Sequence, residues 1–182
     1  MDPADELNVT YRDATPADTD AIVALVESAY RGESSRAGWT TEADLLDGQR
    51  TDADAVRAII ASVESRLLLA VADDGNVVGC CQLERRTANI CYFGMFAISP
   101  SLQGGGLGRR MLGTAERTAR EELGASSMKM TVITQRRDLI AWYERRGYAE
   151  TGETEPFPHG DERFGLPRRD DLRFAVLTKS LG

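Results

Sequence analysis

Residues 103–110 read QGGGLGRR and follow the apolar run FGMFAISPSL. Each glycine costs about 1 kcal/mol relative to alanine inside a regular element. Four of them at a strand-to-helix junction therefore point to a group that comes close to the main chain. Unpaired N–H groups and the helix dipole at such a junction suit an anion, and phosphate is the anion that fits best. Arg109 and Arg110 add positive charge at the rim. The dinucleotide fingerprint G-x-G-x-x-G fails, because its third glycine falls on Arg109 or Met111. The Walker A pattern fails too, since no Gly-Lys-Ser/Thr follows. A loop that merely turns the chain is the alternative for the glycines taken alone.

The other reactive residue types argue mostly by exclusion. Cys80, Cys81 and Cys91 are an odd number in strand-like runs without metal spacing, as expected for buried reduced thiols. A single histidine, His159, lies in the loop-like PFPHGDERFG, so no metal site is expected. The net charge of −7 opposes non-specific nucleic-acid binding, which needs a basic surface. No apolar run approaches the ~20 residues of a membrane span, and MDPADELN lacks the apolar region of a signal peptide. A cytoplasmic protein is the expectation. Arginine greatly outnumbers lysine, which is limited to Lys129 and Lys179; with abundant Ala and Asp this suggests a GC-rich prokaryotic genome.

The elements that would position the loop follow from periodicity. At 182 residues the chain suits one domain over 1–182, with 1–7 as a loose tail. A strand at 9–14 precedes a helix start with Thr15 as cap, Pro16 first and Asp18 three residues after the cap. Ile22, Leu25, Val26 and Ala29 give that helix an apolar stripe. Thr41 with Asp44 opens a second helical stretch, interrupted at Gly48 and restarted by Thr51 with Asp54. RLLLAVA at 66–72 reads as a strand buried on both faces. DDGN is a hairpin turn into the strand 77–86, and 89–99 is the next strand, with Gly94 as a candidate bulge. A helix with Leu107, Met111, Leu112, Ala115, Ala119 and Leu123 inward follows the glycines and ends at Gly124. A strand at 128–133, a helix at 137–147 and a final strand at 172–181 complete the order β-α-α-β-β-β-α-β-α-(β)-β. The fold class is α/β (α+β), a mixed sheet with helices on its faces.

At this point the sequence resembles a known family. IxPxxQGGGLGRRML is similar to the acyl-CoA pyrophosphate loop of the GNAT superfamily of N-acetyltransferases, with Gln103, Gly106 and Gly108 on its Gln/Arg-x-x-Gly-x-Gly/Ala pattern. AWYERRGY at 141–148 resembles the family's later helix, where a tyrosine precedes Gly-Phe or Gly-Tyr. The resemblance implies a mixed, mostly antiparallel sheet whose fourth and fifth strands splay apart to admit acetyl-CoA. The pantetheine arm would run beside Phe96, Ala97 and Ile98. The pyrophosphate would lie on the amides of Gln103, Gly104, Gly105, Gly106, Leu107, Gly108 and Arg109. Gly94 fits the bulge that frees main-chain groups near the thioester. Where many relatives carry an asparagine on the pantetheine amide, this chain has Arg136, an arginine that could reach the cofactor's phosphates instead.

Transfer of acetyl from a thioester to an amine requires a neutral amine, whose ordinary pKa is near 10.4. It also requires a donor to the oxyanion and, for the leaving thiolate, a proton. The resemblance makes Tyr143 that proton donor. The oxyanion donor is expected on the main chain near Met95 or Phe96. Glu84 is the carboxylate expected as base, with a water chain as the alternative. The acceptor pocket is expected between residues 30–42 and 154–165, with Glu33 and Trp39 as candidate substrate contacts. No base stands near Cys81 or Cys91 in the sequence, so direct attack in a ternary complex is expected over an acetyl-cysteine. The expected acceptor is a small-molecule amine, with no metal, no nucleic-acid and no membrane partner, and a homodimer is compatible with the family. A non-catalytic acetyl-CoA-binding module, or acetylation of a protein N-terminus or lysine, fits the same residues.

Overall fold

Alternation along the central strands decides which helix covers which face of the sheet. The computed structural model describes residues 7–31 and 41–182. Leu67 and Leu69 of β3 (Ser65–Ala72) pack with Ile22, Leu25 and Val26 of α1 (Thr19–Tyr30) and Val56 of α2 (Ala53–Ala61). Their neighbours Leu68 and Ala70 face the other way, toward Leu107, Met111 and Leu112 of α3 (Leu107–Glu121) and Leu139 and Ile140 of α4 (Arg137–Glu144). The continuous apolar run thus fills two cores at once, as a strand buried on both faces must. Each fully buried leucine contributes roughly 1.5–3 kcal/mol.

The main sheet has seven strands in the order β1-β3-β4-β5-β6-β9-β7. These comprise β1 (Val9–Asp13), β4 (Val77–Arg85), β5 (Ile90–Ile98), β6 (Ser127–Ile133), β7 (Ala149–Pro156) and β9 (Arg173–Ser180) beside β3. All neighbours are antiparallel except β5 and β6. That parallel pair is joined through α3, as a crossover requires. Pairing between β5 and β6 covers Ile90–Tyr92 against Ser127–Lys129 and then stops, although β5 runs on to Ile98 and β6 to Ile133. The fourth and fifth strands of the sheet therefore diverge into a wedge, as the resemblance implied. Among the described residues no helix is long and apolar enough to cross a membrane.

Two local expectations fail, the first for a tertiary reason. Residues 41–48 are not helical: Leu46–Asp47 forms a short strand, β2, paired with Leu166–Pro167, β8. Leu46 is buried with Ile133, Phe157 and Leu172, and Gly48 leaves the strand at φ +75. Burial here overrides helix propensity. The next helix is capped by Asp52 rather than Thr51, the Asp52 carboxylate accepting from the Ala55 N–H at 2.8 Å.

Candidate active site

The glycine loop holds its shape through the backbone and leaves space in front of it. Gly104 and Gly106 sit at φ +90 and +85, where a side chain is strained. A Cβ on Gly104 would meet nothing within 4 Å, and on Gly106 only the Arg109 guanidinium at 3.9 Å. The Gln103 amide donates to the Ile98 carbonyl at 3.1 Å and ties the loop to the end of β5. Leu107, Gly108 and Arg109 open α3, so their N–H groups lack intrahelical partners. In front lies a cleft of about 560 Å³ lined by Gln103, the glycines, Arg109, Arg145 and Arg146. Partial burial, and then the charges of Arg145 and Arg109, pull the Arg146 guanidinium below its ordinary value. Its Nε is buried without a hydrogen-bond partner. Arg146 held against the charges of both Arg145 and Arg109, beside the amides that open α3, makes an anion cradle.

The cleft floor is aromatic. Phe93, Phe96, Trp142, Tyr143 and Tyr148 form a ring chain with successive centroids 5.1, 6.2, 5.1 and 5.8 Å apart. It runs from β5 to α4 and fills the gap that β6 leaves. At the start of the gap the Tyr92 hydroxyl meets Thr131 Oγ1 at 3.1 Å, bridging β5 to β6. Tyr143 is buried, which pushes its phenol well above the ordinary value, with smaller contributions from Tyr30, Tyr148 and Cys81. No hydrogen bond among the described residues reaches its hydroxyl.

Beyond Tyr143 a second cleft of about 280 Å³ is lined by Tyr30, Arg31, Glu42 and Arg50 on one side and Glu155, Pro156, Phe157 and Phe164 on the other. Tyr30, Phe96 and Leu139 are common to both clefts. The described ends of the segment 30–42, Tyr30, Arg31 and Glu42, face residues 155–158 and Phe164 here. Glu33 and Trp39 lie outside the described residues.

The bulge is one residue beyond its expected place. Cys80 pairs with Ala97 and Gln82 with Gly94, so Met95 and Phe96 together oppose Cys81. Met95 takes the left-handed backbone, φ +46. Gly94 stays in register; a Cβ there would come within 2.8 Å of the Tyr92 ring, so the glycine makes room for that ring. The carbonyls at the bulge are satisfied: Cys80 Sγ donates to that of Met95 at 3.3 Å and the Tyr30 hydroxyl to that of Phe96. Burial pushes the Tyr30 phenol up to about 12.

Two residues singled out in the sequence, Glu84 and Arg136, are not among those that line the two clefts. Glu84 lines neither cleft; its carboxylate pairs with Arg86 Nε at 2.7 Å beside the sheet. Arg136 is buried away from the phosphate side, its guanidinium near Glu42 and Asp138, each at 3.8 Å. Glu42 also pairs closely with Arg31. Ala97 and Leu107 turn their side chains into the two cores and offer the site main chain only. Sequence reasoning missed Arg145, Arg146 and Trp142. The closeness of the arginines to Trp142 at the end of one helix was visible, but their neighbourhood to residues 103–109 was not. Burial raises the Cys80 thiol to about 12 and the Cys91 thiol to about 11, which leaves no thiolate nucleophile there.

The profile of the acetyltransferase (GNAT) family matches residues 24–148. The chain belongs to that family and is an acetyl-CoA-dependent acetyltransferase. Among solved structures, a candidate phosphinothricin N-acetyltransferase is similar, with 21% identity and a TM-score of 0.70 over 96% of this chain and 99% of that one. A nourseothricin acetyltransferase shows 21% identity and a TM-score of 0.67 over 96% and 99%. The spermidine/spermine N-acetyltransferase SpeG from Vibrio cholerae shows 17% identity and a TM-score of 0.67 over 95% and 92%. At these identities the likeness establishes the shared fold. No curated protein is significantly similar in sequence.

Proposed function

We propose that the chain transfers the acetyl group of acetyl-CoA to the primary amine of a small molecule, by direct attack in a ternary complex. The observation that carries this is the position of Tyr143. It stands at the tip of the strand wedge, lining the acceptor cleft and adjoining Trp142, which lines the anion cradle. Acetyl-CoA supplies an activated acetyl group and a thiolate leaving group. Its pyrophosphate fits the open space before Gly104–Gly106 and the guanidiniums of Arg109, Arg145 and Arg146. Its arm fits the unpaired edge of β5 along Phe96–Ile98.

The remaining work falls to named groups of the chain. Tyr143 keeps its phenolic proton through neutral pH and donates a hydrogen bond toward the departing sulfur. An ordinary thiol has a pKa near 8.5, so full proton transfer from this phenol is uphill. Its contribution is that of a hydrogen-bond donor. Met95 and Phe96, displaced from the ladder by the bulge, are the main-chain donors toward the acetyl carbonyl oxygen. The described carboxylates of the acceptor cleft are committed, Glu42 to Arg31 and Glu155 to Lys129 at 3.3 Å. The proton of the incoming amine therefore leaves by water rather than to a dedicated side chain.

A thiol-release assay over a panel of amines tests the reading. Acetyl-CoA consumption dependent on one amine class supports it, and acetyl-CoA binding with no turnover on any amine, protein N-termini and lysines included, contradicts it. Two residue-level outcomes follow. Glu84→Gln leaves the pH–rate profile in place and changes stability by less than about 1 kcal/mol, as for other exposed ion pairs; a displaced profile would restore Glu84 as base. Arg146→Gln weakens acetyl-CoA binding about tenfold and makes its salt dependence shallower, whereas an unchanged salt slope would remove Arg146 from the cradle.

A further inference from the structure

Among the described residues, the charged groups around the acceptor cleft balance, with one exception. Arg31 and Glu42 pair with each other, and Glu155 with Lys129. On the outer side a continuous third cleft of about 630 Å³ shares Arg50, Tyr92, Gly94, Met95 and Phe164 with the acceptor cleft. There Asp54 pairs with Arg57 and Arg163 with Asp161, while Asp52 caps α2 and accepts from the Gln49 amide. Arg50 is different. Its backbone N–H is fixed by Glu27 Oε1, and its guanidinium lies over the Tyr30 ring, 5.5 Å from the centroid, with no carboxylate partner among the described residues. It lines both the acceptor cleft and its outer extension.

A second observation points the same way. Arg31 is 5% exposed and lines the acceptor cleft, and its Nε is buried without a hydrogen-bond partner. Glu42, its partner, also lies 3.8 Å from Arg136, whose guanidinium is equally near Asp138. Among the described residues that line the cleft, Glu42 is taken by Arg31 and Glu155 by Lys129, so the charge left unanswered at its wall is that of Arg50.

We infer that the acceptor is an amine that also carries an oxyanion, an amino acid in the broad sense, and that Arg50 is the residue that binds this second group. The inference rests on the proposed acetyl transfer to an amine. A guanidinium preset over an aromatic ring matches a carboxylate in two parallel hydrogen bonds and loses little freedom on binding. The tyrosine that carries Arg50 ends in a hydroxyl bonded to the Phe96 carbonyl, so one side chain links the anion anchor to the bulge. Among the described residues a polyamine finds no matching arrangement, because each carboxylate lining the clefts already has a cation or a capping role.

The test uses matched pairs: L-methionine against 3-(methylthio)propylamine and L-phenylalanine against phenethylamine, with spermidine as the polycation. Each is titrated calorimetrically into the CoA-loaded protein, and kcat/KM is measured with acetyl-CoA. At least one acid is expected to bind about tenfold or more tightly than its decarboxylated partner. Arg50→Gln is expected to remove that preference through KM with kcat little changed, and Arg50→Lys to restore part of it. Equal binding within both pairs, no binding by either acid, tighter binding of spermidine, or a preference unchanged in a folded Arg50→Gln protein would each overturn the inference. Titration with CoA alone separates the two layers. CoA binding with the wrong acceptor preference removes only the anion anchor, whereas failure of CoA to bind removes the acetyltransfer reading itself.

Discussion

Gly106→Glu is expected to weaken acetyl-CoA binding by more than about a hundredfold while the protein remains folded. Gly106 caps α3 in the left-handed conformation, so any side chain there carries strain of about 1–2 kcal/mol. There is room for it, because the new Cβ would meet only the Arg109 guanidinium at 3.9 Å. The added carboxylate would occupy the space assigned to the pyrophosphate, pair with Arg109 and repel an incoming anion. Two unit charges about 4 Å apart interact by roughly 4 kcal/mol near a protein surface, which is ample for the stated loss. Gly106→Ala carries the strain without the charge and separates the two effects, with melting temperature and calorimetric affinity measured for both. Unchanged affinity in folded Gly106→Glu would mean that the loop only turns the chain.

The second large effect is expected at Tyr143. Tyr143→Phe should lower kcat about a hundredfold and leave acetyl-CoA affinity nearly intact. The ring keeps its edge contacts to Trp142 and Tyr148. The hydroxyl that is lost has no partner among the described residues, so stability should hold. The pH behaviour carries a sign that can be checked. Burial raises the phenol well above its ordinary value, so the proton is present throughout the neutral range. The wild-type rate should then show no falling limb from Tyr143 below about pH 10. A variant with unaltered kcat would retire the donor role.

Elements with a local signal were legible in the sequence. The twice-buried strand, the DDGN hairpin and the helix after the glycines all obey short-range periodicity or turn chemistry. The glycine loop was legible because backbone conformation demanded the residue type. What escaped depended on distant neighbours. Residues 41–48 looked helical until Leu46 found Ile133 and Phe157. Gly94 was read as the bulge, but the requirement there comes from the Tyr92 ring, and the left-handed residue is Met95. Glu84 and Arg136 were the right residue types at suggestive positions. Glu84 pairs with Arg86, a neighbour the sequence already shows, whereas Arg136 lies near Glu42, which only the fold brings to it. Arg145, Arg146 and Arg50 were ordinary surface arginines in the sequence, and the fold alone gathers them around the clefts.

The central claim is that the wedge and its glycine loop hold acetyl-CoA, and calorimetric titration of the intact protein with acetyl-CoA tests it most directly, with ATP as the control anion. The account predicts saturable one-to-one binding of acetyl-CoA that weakens with added salt and far weaker binding of ATP. Equal binding of the two, or no binding of acetyl-CoA by the folded protein, would contradict it.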